Sequence, residues 1–187
     1  QGQNAERACQ FIAGLSGSHR FIFEYLAEEV LRRQPEEQQT FLTRTSVLTQ
    51  LDAAVCNALL GIQNAQVALD RFEKENLFLT SLDDQRRWYR YHFLFREFLY
   101  SKLLRESPEL ALKLNRTAGE YYLQQGELEI AFGHLVEAKE WETAAAVLQS
   151  FAYDYVERGR VEVLHRYLAM LPEKVLRIHP SLLLQRG

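Results

Sequence analysis

The stretch that decides the fold is Arg86-Arg87-Trp88-Tyr89-Arg90-Tyr91-His92-Phe93-Leu94-Phe95-Arg96-Glu97-Phe98-Leu99. Up to His92 its side chains alternate as in a strand, with one face made of Trp88, Arg90 and His92 and the other of Arg87, Tyr89 and Tyr91. From Phe93 onward the apolar residues recur at helical spacing. His92 therefore lies where a predicted strand becomes a predicted helix, and a titratable side chain at such a junction can face a ligand or another domain.

A partner strand is predicted just upstream, over residues 77–82, with a turn at Asp83-Asp84-Gln85 leading into a returning strand over 87–92. Before this hairpin the periodicity predicts helices over 4–13, 19–33, 35–45, 52–61 and 63–76. In the helix over 19–33 the apolar residues Phe21, Tyr25, Leu26, Val30 and Leu31 share one side, which we expect to face the core, and in the helix over 63–76 we expect Val67, Leu69 and Phe72 to face inward. Three helices followed by a two-stranded hairpin form the outline of a winged helix.

Beyond about residue 106 the pattern becomes one of helix pairs with an internal repeat. At a constant offset of 33 residues, the six positions Gly119, Tyr122, Gly126, Ala131, Leu135 and Ala138 match Ala152, Tyr155, Gly159, Leu164, Leu168 and Leu171. The first unit fits much of the tetratricopeptide pattern, with Asn115 in place of its Trp and Thr143 in place of its Pro. Because each pair buries its face on a neighbour, we expect the array to continue, with Ser181-Leu182-Leu183-Leu184 opening a third pair.

These patterns predict a mostly α-helical chain in three parts. Residues 1–34 form a helical segment, residues 35–106 form a winged-helix domain with a small β-hairpin, and residues 107–187 begin a series of tetratricopeptide-like α-α superhelical repeats.

The composition is that of an ordinary globular protein. Of 187 residues, 47% are hydrophobic and 25% charged, and the net charge of -3 excludes the global basic field of a dedicated nucleic-acid binder. Two cysteines, Cys9 and Cys56, are too few for a disulfide framework or a zinc site, which favours a reducing cytoplasm. No apolar run is long enough to span a membrane and no signal peptide opens the chain, so we expect no membrane partner. Since the first residue is Gln1, we expect a piece of a longer protein.

No catalytic motif is present in the sequence. It lacks a GxxxxGK[ST] phosphate loop, a GxGxxG fingerprint, a GxSxG elbow and an HExxH zinc helix. The five histidines are scattered without the spacing of metal ligands. We therefore expect no enzyme in this chain, with no catalytic residue and no metal-binding residue.

Three features each leave two interpretations open. His92 is either a ligand-sensing side chain or a histidine that packs at a strand–helix junction. The basic cluster of Arg86, Arg87, Arg90 and Arg96, beside Trp88 and Tyr89, either touches nucleic-acid phosphates or leaves its arginines in solvent, since four acidic residues lie nearby in sequence. Phosphate contact predicts salt-dependent duplex binding that is lost on Arg87→Ala and Arg90→Ala. The helical repeats either bind a partner or act as a rigid spacer.

Several segments resemble a known family. They are Ser16-Gly17-Ser18-His19-Arg20-Phe21, Tyr25-Leu26-Ala27-Glu28-Glu29-Val30-Leu31, Phe41-Leu42-Thr43-Arg44-Thr45-Ser46-Val47-Leu48, Asn76-Leu77-Phe78-Leu79 and Trp88-Tyr89-Arg90-Tyr91-His92-Phe93-Leu94-Phe95-Arg96. They are similar to segments of the large ATP-binding LuxR-type transcriptional regulators, the maltose-activator-like group among the signal-transduction ATPases with numerous domains (STAND). The similarity covers essentially the whole chain, and the last segment is the most specific.

The resemblance implies a place in a longer regulator. Its domain order is a nucleotide-binding ATPase module, a winged helix, a helical-repeat sensor and a LuxR-type helix-turn-helix, of which this chain resembles the middle. Residues 1–34 would be the helical tail of the ATPase module. The parent would bind ATP or ADP with Mg²⁺, and the chain itself would hold no cofactor. Its partners would be the upstream nucleotide-binding domain and an inducer or protein at the repeats, with DNA bound only by a domain outside this chain.

The resemblance also implies a role for His92. Related switch ATPases carry a Met-His-Asp motif in the winged helix, whose histidine touches the bound ADP phosphate, and Tyr91-His92-Phe93 stands in the matching place. Tyr91 and Phe93 depart from that motif, so the network around the histidine must differ. A charge-assisted contact would contribute on the order of 1.5–3 kcal/mol. The implied function is to couple nucleotide state and inducer binding to DNA-binding activation; the alternative is a free-standing helical adaptor that binds neither nucleotide nor DNA.

Overall fold

A computed structural model describes residues 17–179 and Leu182, with side chains from Phe23 onward. The helix predicted over 4–13, Cys9 and most of the segment 181–184 lie outside the described residues. Within the described range the elements are, in chain order, α1 (Gly17–Arg32), α2 (Glu36–Thr45), α3 (Ala53–Leu60), α4 (Ala65–Lys74), β1 (Leu79–Ser81), β2 (Tyr89–Tyr91), α5 (Phe93–Glu106), α6 (Pro108–Gln124), α7 (Leu128–Glu137), α8 (Trp141–Glu157), α9 (Val161–Ala169) and α10 (Glu173–Ile178). The predicted fold class is confirmed, since a winged-helix region with a two-stranded hairpin precedes packed helices.

The short helices begin and end where local chemistry requires. Pro35 precedes α2, whose first turn carries two glutamates that favour the positive end of the helix dipole. The Asp52 carboxylate accepts a hydrogen bond of 2.8 Å from the backbone N–H of Val55 and so caps α3. Gly61 ends α3 in the left-handed region at φ 67°, where a residue with a Cβ would be strained.

The hairpin buries one face and exposes the other. β1 and β2 are antiparallel, with Leu79 opposite Tyr91 and Ser81 opposite Tyr89. Tyr89 and Tyr91 point into the core while Arg90 points into solvent, which confirms the predicted alternation. Leu51 adds one further bridge, because its N–H and C=O each bond Tyr89 at 2.8 Å. The Tyr91 hydroxyl lies 2.7 Å from that of Thr45, so the buried tyrosine keeps a polar partner.

Three side chains expected to face inward do not. Val67 is 69% exposed, Tyr25 66% and Leu26 52%. In α4 the buried face is set by Ala65 and Leu69, and Val67 lies about 200° around the helix from Ala65. The sequence pattern offered more apolar positions than the core could accept, so these residues remain on the surface.

Two hydrophobic cores are stacked along the chain. The first contains buried residues from Ala27 in α1 through the winged helix to Tyr122 in α6 and Ala131 in α7. The second begins at Phe132 and includes the buried faces of α8 and α9, together with Val175 and Leu176. Helix α7 contributes to both cores, so the winged helix and the first helix pair share buried apolar surface.

The 33-residue repeat is visible in the backbone. Helices α6 and α8 both have 17 residues, and each of their ends differs by the predicted offset. The turns that follow match as well, since Gly126 and Gly159 have φ values of 77° and 68°. The N–H of Glu127 bonds the Tyr122 carbonyl as that of Arg160 bonds the Tyr155 carbonyl. The internal repeat predicted from the sequence is therefore confirmed as two equivalent helix pairs, α6–α7 and α8–α9.

We expect Gly119→Ala to lower the free energy of unfolding. A Cβ at this position would lie 2.9 Å from Cγ of Leu135, which is 1% exposed and cannot move aside freely. The overlap should outweigh the better helix propensity of alanine and cost about 1–3 kcal/mol. The matched control is Gly133→Ala in α7, where a Cβ meets nothing within 4 Å and should stabilise by about 0.5–1 kcal/mol. Urea unfolding followed by circular dichroism measures both, and equal shifts would contradict the close contact.

Candidate functional site

His92 lies at the junction predicted from the sequence. It follows β2 directly and occupies the position before the first turn of α5, with φ −55° and ψ 135°. Its backbone is fixed on both sides: its N–H donates to the Phe78 carbonyl at 2.7 Å, and its C=O accepts from the Arg96 N–H at 3.0 Å. The backbone of His92 is thus held at a defined place between the hairpin and the helix.

Two phenylalanines form the surroundings of the imidazole. Its ring centre lies 5.9 Å from that of Phe23 in α1 and 6.5 Å from that of Phe78. Phe78 has a φ of 53°, a conformation that costs a bulky residue on the order of 1–3 kcal/mol. Its ring also packs 4.9 Å from that of Phe95, and this packing offsets the strain. Strained backbone beside a titratable group is typical of functional sites.

The imidazole of His92 is half-buried and lacks a polar partner on one nitrogen. Nδ1 is buried without a hydrogen bond to any described residue. Burial lowers the pKa of His92 below its usual value, so the ring is neutral at neutral pH. A neutral imidazole offers one donor and one acceptor and no full charge. Its own part in a polar contact is therefore one hydrogen bond, which is charge-assisted only where the partner carries a charge.

A cleft of about 390 Å³ lies beside this cluster, between α1 and α5. Its apolar lining comes from Phe23, Leu94 and Phe98, and its charged lining comprises three glutamates and one arginine, Glu24, Glu28, Glu97 and Arg105. Because the carboxylates outnumber the guanidinium group, the lining carries a net negative charge, which disfavours an anion such as phosphate.

The four arginines of the basic cluster do not form one surface. Arg86 pairs with Glu73 and Arg87 with Asp83, each at 3.3 Å. Arg96 is half-buried and donates to the carbonyls of Leu48 and Val47 at 2.8 and 3.1 Å, where it holds the loop that follows α2. Arg90 alone of the four is exposed without an ion pair to a described residue. Three of the four guanidinium groups thus have structural partners within the chain.

The helix before the hairpin is also occupied with internal contacts. Asp70 in α4 accepts a hydrogen bond of 2.6 Å from the Tyr89 hydroxyl and one of 2.9 Å from the Gln66 amide. These bonds, Tyr89 first, hold the pKa of the Asp70 carboxyl below its usual range. Glu73 lies in α4 and Glu75 directly follows it, so this helix presents acidic as well as basic groups. This helix does not carry the basic stripe that phosphate binding needs.

Sequence reasoning found His92 and missed its neighbours. Phe23 and Phe78 lie far from His92 along the chain, and the left-handed backbone at Phe78 has no glycine or asparagine to signal it. Cys56 is a buried free cysteine whose thiol pKa is raised by burial. Over residues 17–179, no three potential metal ligands come together. None of the helices described has the length and apolarity needed to cross a bilayer.

Comparison with known proteins adds an independent observation. The family described as the MalT winged helix domain matches residues 27–111. The HTH-type transcriptional regulator MalT of Klebsiella pneumoniae subsp. pneumoniae is 29% identical over 181 residues, 97% of this chain and 20% of that protein. MalT of Vibrio cholerae serotype O1 is 29% identical over 88% of this chain and 18% of its own length. The serine/threonine-protein kinase PknK of Mycobacterium tuberculosis is 29% identical over 90% of this chain and 15% of its own length. The chain thus spans a fifth or less of these relatives.

Proposed function

We propose that the chain is the regulatory segment of an ATP-dependent LuxR-type transcriptional regulator. Its similarity to MalT over 97% of its length and the match of residues 27–111 to the MalT winged helix domain support this proposal. In that protein it couples the nucleotide state of an upstream ATPase module, and the binding of an inducer or partner, to activation of DNA binding. We propose no catalytic role for the segment, whose sequence holds no phosphate loop. Promoter binding places the regulator in the cytoplasm.

The observation that supports this proposal is the placement of His92. The side chain is fixed at the strand–helix junction, beside a strained Phe78, with a buried nitrogen that has no described partner. In the regulator, the imidazole N–H of His92 would donate one hydrogen bond to a phosphate oxygen of ADP bound in the upstream domain. Because the phosphate is an anion, this hydrogen bond is charge-assisted even from a neutral imidazole, and it would contribute on the order of 1.5–3 kcal/mol.

The helix pairs would form the sensor half of the switch. Their 33-residue period and the first unit's fit to the tetratricopeptide pattern support the interpretation as tetratricopeptide-like repeats. ADP held between the ATPase module and the winged helix stabilises a resting form, and an inducer or protein bound at the repeats favours the ATP form. A two-state element biased from two sites meets the requirement for allostery.

The test is His92→Ala in the full-length regulator, with His165→Ala as the matched control because His165 is exposed on α9. We expect His92→Ala to weaken ADP retention by about tenfold to 150-fold, the value of one hydrogen bond to a charged group. Dissociation of a fluorescent ADP analogue measures this, and reporter transcription with and without inducer gives the second readout. If retention and inducer dependence both match the His165 control, His92 has no sensing role.

The similarity to PknK supports a second candidate. A kinase that contains a similar segment suggests an interaction module that is joined to different effector domains. In that case the chain acts as a helical adaptor without nucleotide or DNA binding, and the His92 substitution leaves ADP retention unchanged. Direct DNA binding by the hairpin is disfavoured, because the partners of Arg86, Arg87 and Arg96 are within the chain.

A further inference from the structure

A chain of polar groups joins the winged helix to the first helix pair. Asn115 in α6 and His134 in α7 are 2% and 8% exposed, and His134 Nδ1 lies 2.9 Å from Asn115 Oδ1. The Asn115 amide donates to the hydroxyl of Tyr100 in α5 at 3.3 Å. The Tyr100 hydroxyl in turn donates to a carboxylate oxygen of Glu137 in α7 at 3.1 Å. The network therefore connects α5 of the winged helix with α6 and α7 of the first helix pair.

The direction of each hydrogen bond in this network is determined. The Asn115 Nδ2 also lies 3.1 Å from the Ala111 carbonyl, which can only accept, so this atom is the amide nitrogen. Asn115 Oδ1 then faces His134, and the imidazole must carry its proton on Nδ1. The donors run in one sense from His134 through Asn115 and Tyr100 to Glu137. Such an ordered chain fixes the relative position of its members more strictly than apolar contacts do.

The internal repeat shows that this network is not needed to build a helix pair. At the offset of 33 residues, Asn115 corresponds to Leu148 and His134 to Tyr167. Leu148 is fully buried in the second core, and Tyr167 packs its ring against Phe132 at 5.3 Å. The second pair therefore fills the same positions with an apolar and an aromatic side chain. The polar residues stand in the pair that contacts the winged helix.

The contacts of Tyr100 extend the network into the winged helix. The Arg96 guanidinium lies 5.9 Å from the centre of the Tyr100 ring, within range of a cation–π contact. Arg96 also holds the carbonyls of Val47 and Leu48 after α2, as described above. A continuous set of contacts thus leads from the loop after α2, through α5, to His134 in the helix array.

From this geometry we infer that Asn115 and His134 are positioning residues, which fix the orientation of the helix array on the winged helix through Tyr100. Apolar contacts at the same place would hold the two parts together without selecting one orientation. The bond between Asn115 and His134 fixes the Asn115 amide, which then donates to the Tyr100 hydroxyl. An orientation of the array that separates Tyr100 from Asn115 is costly, because the buried amide loses one of its hydrogen bonds inside the protein. The regulatory use of this fixed orientation rests on the proposed function, whereas the orientation itself does not.

Two variants of the 187-residue chain test the inference. Tyr100→Phe removes the hydroxyl and keeps the ring, and the double variant N115L/H134Y installs the residues of the second pair. Tyr153→Phe, at a 66% exposed tyrosine of α8, is the matched control. Spin labels on cysteines placed at Thr80 in β1 and Glu162 in α9 report the distance between the two parts. Cys9 is replaced by serine in all samples, and Cys56 is buried with a raised thiol pKa and resists labelling.

We expect the unchanged chain and the Tyr153→Phe control each to give a narrow distance distribution. Tyr100→Phe and N115L/H134Y should each give a broader distribution. Amide protection in α6 should fall by about fivefold in Tyr100→Phe, the value of one hydrogen bond. Distributions and protection equal to the control would overturn the inference. Urea unfolding of each variant shows whether it is folded; should N115L/H134Y unfold, Tyr100→Phe decides alone.

Failure of this inference and failure of the proposed function give different results. Suppose that Tyr100→Phe broadens the distance distribution in the isolated chain while His92→Ala leaves ADP retention of the full-length regulator unaffected. The positioning role is then supported and the nucleotide switch is contradicted. An unchanged distance distribution in Tyr100→Phe together with weaker ADP retention in His92→Ala contradicts the positioning role and supports the switch. In the regulator, Tyr100→Phe should reduce the inducer response and leave ADP retention as it is, a split that a general loss of stability would not produce.

Discussion

Phe95→Ala should lower the free energy of unfolding of this chain by about 3–5 kcal/mol, one of the two largest effects that we expect from a single change. The Phe95 side chain is fully buried, and its ring lies 4.9 Å from that of Phe78 and 6.1 Å from that of Tyr91. Its removal leaves a cavity between the hairpin and α5. It also removes the packing that offsets the strained backbone of Phe78.

The matched control is Phe93→Ala, two residues earlier in the same helix. Phe93 is 66% exposed, so its truncation should change stability by no more than about 0.5 kcal/mol. Urea unfolding followed by tryptophan fluorescence measures both variants, since Trp88 lies at the end of the hairpin. Similar losses for the two variants would show that the core at this junction is not packed as described.

Acidification should destabilise the chain through His134. Burial, and secondarily the charge of Arg96, lower the pKa of His134 from 6.5 to about 4. The unfolded chain therefore takes up a proton as the pH falls through 6.5, while the folded chain resists protonation until about 4. The stability present above pH 6.5 is lost across this interval, at up to about 1.4 kcal/mol per pH unit and about 3 kcal/mol in total.

A pair of variants separates this effect from the titration of carboxylates in the same range. Urea unfolding at a series of pH values is compared for the unchanged chain, His134→Leu and His165→Leu, the last at an exposed histidine of α9. The free energy of unfolding of the unchanged chain, minus that of His134→Leu, should decrease as the pH falls. The corresponding difference for His165→Leu should change less. A pH-independent difference for His134→Leu would mean that this imidazole is not held neutral by the fold. Burial lowers the pKa of His92 as well, so part of the acid sensitivity should persist without His134.

Local chemistry made several parts of the fold predictable. The helix predicted over 52–61 is found between its cap at Asp52 and the left-handed Gly61, and the alternation of Tyr89, Arg90 and Tyr91 is found as predicted. Both features depend on neighbours in sequence. The 33-residue offset is likewise a local pattern that occurs twice. The position of His92 followed from the change in apolar spacing between a strand and a helix. Its nucleotide-sensing role and the boundaries at 34 and 106 stay predictions.

The remaining features depend on contacts between distant residues. A composition count could not show that Glu73 and Asp83 neutralise two arginines, or that Arg96 points away from the hairpin to hold the loop after α2. The exposure of Val67 follows from which face of α4 meets the core, a choice made by tertiary packing. The polar network of Tyr100, Asn115 and His134 was likewise invisible, although the mismatch of Asn115 with Leu148 in the repeat was a signal that could have pointed to it.

The first hydrophobic core crosses from the winged helix into α6 and α7, and this has a consequence for inheritance. A crossover between two such genes at the α5–α6 junction would pair an apolar face with one that had not been selected to fit it. A crossover after α7 would instead join two equivalent helix pairs, whose contact surfaces repeat along the array. Stable recombinants that exchange helix arrays should therefore keep α6 and α7 with their own winged helix. The segment that is inherited as one unit thus includes the winged helix and the first helix pair.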